Sequence, residues 1–130
     1  EFERIADLAK GIGKRILKMA QGEAVRLPES LLDMASATQT MVSDTMSLVA
    51  TPDLGRCLQL RRDDKRIDQL NKEVLVWSRD EIHRNVDHTQ ASLDILSIAQ
   101  RLERMADITT SIAEDLIFLV EGRIVRHGAE

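Results

Sequence analysis

Aromatic residues are nearly missing from this sequence: Phe2, Trp77 and Phe118 are the only three, and Tyr is absent. The core must therefore come from Leu, Ile, Val, Met and Ala, and there are too few rings for base-stacking platforms. The formal net charge of −4 gives no general attraction to nucleic acid either. The single cysteine, Cys57, excludes an internal disulfide and a zinc-type cysteine pair. It reads as a small buried apolar residue on a helix. No apolar run approaches the roughly 18 to 20 residues of a membrane span, and no secretory signal is visible. The expected compartment is the cytoplasm.

Two prolines and six glycines leave little to interrupt helices. Hydrophobic residues reach 43% and charged ones 31%, a balance that fits an all-helical protein. At 130 residues roughly two-thirds of the unfolded surface can be buried, enough for one core. Helical spacing of Ile5, Leu8, Ile12, Ile16 and Met19 predicts a helix over 1–21, stopped at Gly22. Its polar side is basic beyond the first two turns, and Gly11 and Gly13 could let a neighbouring helix approach closely. Pro28 suits the start of a second helix, in which Met34, Met41 and Leu48 recur every seven residues as far as Ala50. Thr51 reads as the N-cap and Pro52 as the first residue of a third helix reaching about His83. Its apolar positions are Cys57, Leu60, Ile67, Leu70, Val74 and Trp77. Asp87 followed by Gln90 resembles a capping box, and a fourth helix over roughly 88–121 ends at Gly122. Residues 123–130 read as a loose tail. The predicted fold is all-α: an antiparallel three-helix bundle over 23–122 with one additional N-terminal helix over 1–22.

The polar residues follow a pattern of their own. On the fourth helix Glu103 and Asp107 are four apart, so their carboxylates stack on one face, repelling by roughly 0.2–0.5 kcal/mol if exposed. Ser111 and Glu114 continue that strip. On the third helix Asp64 and Asp68 repeat the spacing, and Asp64 and Asn71 fall within roughly 75° of the apolar stripe's centre. A carboxylate beside the core is expensive unless it is paired or bound to a cation. The candidates for pairing are Arg61, Arg62, Lys65 and Arg66. The first helix repeats the fourth: Glu3-Arg4-x-Ala6-Asp7 matches Glu103-Arg104-x-Ala106-Asp107, and the register holds through Ile12 with Ile112 and Gly22 with Gly122. A duplicated helix beginning at the first residues, without Met, suggests the back portion of a larger, two-unit protein.

The doubled Glu-Arg-x-Ala-Asp helix, the Asp64-xxx-Asp68 pair one helix earlier and the close Ile112-Ala113-Glu114…Val120-Glu121-Gly122 together resemble the PhoU family of bacterial phosphate-uptake regulators. The resemblance covers nearly the whole chain, as the third helix of a first repeat plus all of a second. It implies a tandem of three-helix bundles whose Glu/Asp-xxx-Asp motifs bind metal in surface clusters, with iron, zinc or another divalent ion as the cofactor. Carried over by position, the metal candidates are Asp64, Asp68, Glu103 and Asp107, with Glu3 and Asp7 as half of a second set. Where the family usually has Asn four residues after the motif, this chain has Ser111 and Gly11. Where a His commonly follows the motif Asp, it has Ile108. The resemblance further implies a non-enzymatic homodimer that contacts the phosphate ABC transporter and a sensor histidine kinase.

Two other readings compete. Di-iron oxidases also use carboxylates in bundles, but they need Glu-x-x-His motifs, and no Glu here has His three residues later. No nucleophile elbow or phosphate loop is present, and His83, His88 and His127 show no ligand spacing. The other is a metal-free helical interaction module whose acidic stripes pair with basic helices, such as the first.

Overall fold

The computed structural model describes residues 1–22 and 25–128. Four helices follow one another: α1 (Phe2–Ala20), α2 (Glu29–Ala50), α3 (Leu54–Arg84) and α4 (Thr89–Gly128), with a single 3₁₀ turn at Val86–His88 before α4. The all-helical class and the order of the elements agree with the sequence reading. Glu23 and Ala24 of the expected link, and the last two residues of the tail, lie outside the described residues.

α2, α3 and α4 form the bundle, and α1 packs on α4 alone. Each bundle helix buries one narrow stripe. On α2 it is Leu31, Met34, Thr38, Met41, Thr45 and Leu48, a strict alternation of three and four residues. Ala35 and Val49, apolar neighbours of that stripe in sequence, are exposed. Two threonines therefore fill core positions. Thr45 donates its hydroxyl to the Met41 carbonyl at 2.7 Å, whereas the Thr38 hydroxyl has no partner among the described residues.

Several boundaries differ from those predicted. Thr51 closes α2 rather than opening α3. The N-cap of α3 is Asp53, whose side chain accepts from the Arg56 N–H at 2.9 Å. An Asp at this position satisfies one of the orphan donors of the first turn as well as Thr would. Before α4 the turn is built on Asn85, whose side chain accepts from the Asp87 N–H at 3.1 Å. Gln90 bonds to Asp94 instead of completing a capping box. Gly122 does not stop α4, which continues to Gly128, so the expected tail at 123–130 is helical over most of its length. One glycine in mid-helix costs only about 1 kcal/mol against Ala, and no described glycine adopts a positive φ.

α1 meets α4 through Ile5, Leu8, Ile12 and Met19, of which Ile5 is buried. Of the two glycines, only Gly11 serves a close approach: a Cβ there would lie 2.8 Å from Nε of Arg101, while Gly13 faces open space. One turn further on, Arg15 Nη1 reaches Oδ1 of Asp94 at 3.1 Å. Asp94 is 4% exposed, so this ion pair is the polar anchor of α1. Cys57 is fully buried, and burial pushes its thiol above its ordinary range.

A four-carboxylate face on α3 and α4

The buried positions of α3 are Cys57, Leu60, Ile67, Leu70, Val74 and Ser78. The one gap in their steps of three and four, from Leu60 to Ile67, is filled by Asp64, and Asn71 lies four after Ile67 and three before Val74, so two polar residues share the core stripe on this helix. Both are half-buried. Asn71 has a partner: its amide donates to Oε2 of Glu103 on α4 at 2.6 Å. Asp64 has none for one of its oxygens, as Oδ1 is buried without a hydrogen bond among the described residues. A buried acceptor without a donor is uncommon in folded proteins and calls for a proton, a water or an ion.

The expected Asp–Arg pairing does not form. Among the described residues, neither Asp64 nor Asp68 is in an ion pair. The nearby Arg62 donates to Gln59 instead, at 3.1 and 2.7 Å. What surrounds Asp64 is negative. Burial raises its carboxyl to about 6, with further upward pushes from Asp68, Asp107 and Glu103, while Thr110 beside it pulls the other way. Glu103 is also raised, by burial and then by Asp107 and Asp68. Asp107 is raised by burial and Asp68, and contact with the Asp64 carboxyl draws it partly back. The four carboxylates thus feel one another across the α3–α4 seam. The two pairs share a side of the bundle.

The other candidates are not part of this group. Ser111 and Glu114 are exposed, and neither is hydrogen bonded to the four among the described residues. Glu3 and Asp7 are exposed on α1, which among the described residues touches α4 and no other helix, so they meet no counterpart on α3. The basic α1 does find an acidic partner on α4, but it is Asp94 rather than the Glu103–Asp107–Glu114 strip. Asn71 and Thr110 were not singled out from the sequence as site residues. Thr110, three and seven residues after Asp107 and Glu103, was legible from spacing, because those steps share a helix face. His88 is engaged elsewhere, with its Nδ1 3.0 Å from Oε1 of Glu81.

Gathered carboxylate oxygens with one orphaned acceptor suit a hard or borderline cation, so the donor chemistry fits. The spacing is looser: among the described residues, no three His, Cys, Asp or Glu side chains stand close enough to hold a metal in common.

A carboxyl whose folded pKa lies above its ordinary value stabilises the fold fully only below that ordinary value. The contribution is lost as pH rises through the folded pKa. For Asp64 the window runs from 3.8 to about 6. Asp64→Asn is therefore expected to raise stability at pH 7 by about 1 kcal/mol, a figure kept low because water screens a half-exposed group. It should also flatten the fall in stability between pH 4 and 7. Urea melts of both proteins across that range check it.

Comparison with known proteins places this geometry. The PhoU domain model matches residues 31–116, a span from the start of α2 through the four-carboxylate face to Leu116. The chain belongs to the PhoU family. It is 30% identical over 131 residues to the phosphate-specific transport system accessory protein PhoU homolog of Pseudomonas aeruginosa, covering 98% of this chain and 53% of that protein. With the PhoU protein of Serratia marcescens it shares 27% over 127 residues, covering 98% and 52%. The homolog of Streptococcus pneumoniae is 27% identical over 129 residues, covering 96% and 58%. The chain thus spans about half the length of the curated PhoU relatives it matches. No helix among the described residues is long and apolar enough to cross a membrane.

Proposed function

We propose that this PhoU chain is part of a non-enzymatic cytoplasmic regulator that restrains phosphate uptake and phosphate-starvation signalling. It acts by contact with the phosphate ABC transporter and its sensor histidine kinase, as a homodimer. The supporting context is the name its relatives carry, accessory proteins of the phosphate-specific transport system. The observation that carries a role for the site is Asp64, half-buried with one oxygen that has no donor among the described residues and with its carboxyl pushed up by burial and by Asp68, Asp107 and Glu103. Asp64, Asp68, Glu103 and Asp107 would hold an iron, zinc or other divalent ion, whose charge would offset the burial and the mutual repulsion that now raise Asp64, Glu103 and Asp107. Glu3 and Asp7 would supply half of a second set, and Ser111 and Glu114 would flank the first.

Metal analysis of protein purified without chelators tests this, comparing the parent with D64N/D68N/E103Q/D107N. Bound metal in the parent and its loss in the variant are expected. A metal-free parent would leave the second reading, a helical interaction module without metal, which the present spacing of the carboxylates favours. Reversing Glu103 and Asp107 to Lys separates out the contact role: unchanged repression of phosphate uptake, with helix content preserved, would count against it.

A further inference from the structure

The outward face of α3 carries charge of the opposite sign. Arg62, Lys65, Gln69, Lys72, Val76 and Arg79 follow one another in alternating steps of three and four, so they form one straight stripe along the helix. All six are exposed, and Leu60, Ile67, Leu70 and Val74 turn the opposite face of α3 into the bundle. Arg61 and Arg66 flank the stripe and are exposed too. No ion pair among the described residues neutralises this row. Among the described residues, the ion pairs of α3 lie only at its ends, Arg56 with Asp44 and Arg84 with Glu81 or His88 with Glu81. Arg62 bonds only to the neutral Gln59. A chain of net charge −4 thus carries along α3 a cationic row that faces out and joins no ion pair among the described residues.

We propose that this stripe docks an acidic helix of a partner protein, one whose carboxylates recur at the same steps of three and four. From Arg62 to Arg79 the row extends about 26 Å at 1.5 Å per residue, which is room for nearly five turns of a partner. Val76 offers an apolar contact within the row. The stripe is one helix wide and is bordered by the exposed carboxylates of Asp68, Glu73 and Asp80. An anionic membrane presents negative charge across its whole surface and would repel those borders. A single helix meets the cations and leaves the borders untouched. Such complementarity sets partner choice and on-rate and weakens with salt. The proposal does not depend on metal binding by the four carboxylates, which lie beyond this stripe toward α4.

The probe is a fluorescein-labelled helical peptide with Glu at alternating steps of three and four and Ala or Gln elsewhere, read by anisotropy at low and physiological salt. The parent is expected to bind it at low salt and to lose affinity as salt rises. R62Q/K65Q/K72Q/R79Q should bind at least about tenfold more weakly, with helix content unchanged by circular dichroism. A peptide of the same composition with its Glu residues spread around the helix should also bind more weakly than the striped one. No binding by the parent at low salt, equal binding by the variant, or equal binding of the two peptides would overturn the proposal. So would preferential binding to phosphatidylglycerol vesicles, which would assign the stripe to a membrane.

Discussion

Ile67→Ala is expected to destabilise the bundle by about 3 kcal/mol, within the range of roughly 2–5 for buried Ile or Leu truncations. Ile67 is fully buried on α3, between Asp64 and Asp68 in sequence, with Leu60 and Val74 two stripe steps to either side. Truncation loses the transfer energy of three carbons and leaves a cavity that the surrounding helices, rigid along their axes, cannot fully close. With only three aromatic residues in the chain, few large side chains are at hand to lean into the gap. Ile67→Val should lose only about 1 kcal/mol. Urea denaturation of the two variants checks the gradation, and a loss below about 1 kcal/mol for the Ala variant would mean that this part of the core collapses freely.

Arg15→Met is the second large effect, expected at about 2–3 kcal/mol. It leaves the Asp94 carboxylate buried with Gln90 as its remaining side-chain partner, at 3.2 Å. Removing one member of a fully buried pair costs roughly 3–5 kcal/mol. The Arg15 side chain is 30% exposed, so water can reach the vacated position and the loss falls toward the lower end. R15M/D94L should recover most of it, because taking both charges out together leaves no unpaired ion and the groove beside Asp94 is lined by apolar residues such as Ile12, Ile16 and Ile98. Since α1 is fastened to α4 alone, the single variant should also speed amide hydrogen exchange in α1 ahead of the bundle. Equal exchange in both proteins would show that the apolar contacts of Ile5, Leu8 and Ile12 hold α1 without the ion pair.

The helices themselves were legible because helical periodicity is a local property: Met34, Met41 and Leu48 announce a buried stripe whatever lies across from them. Ends were less legible. Thr51 and Asp53 are both good caps, and which one opens α3 depends on how the chain turns between two helices already fixed by packing. Gly122 looked like a stop because Gly commonly ends helices, yet a single glycine with a helical φ is tolerated. On α3, Asp64 and Asn71 were visible as polar residues near the apolar stripe, but the available cations, Arg61, Arg62, Lys65 and Arg66, suggested a neutralised carboxylate. They lie on the outward side and do not reach it.

The amino-acid order alone determined each pair of stacked acids and the doubling of Glu3–Asp7 in Glu103–Asp107, since each is a matter of spacing within single helices, and the order of these motifs along the chain carried the resemblance to the family. It could not say that the α3 pair faces the α4 pair, that Asn71 reaches Glu103, or that Asp94 rather than the acidic strip receives α1. Those outcomes turn on the roll and axial stagger of one rod against another, set by how Ile67, Leu102 and their neighbours interlock across the core. A shift of one residue along either helix turns a side chain by about 100°, enough to carry a carboxylate from the shared seam to open solvent.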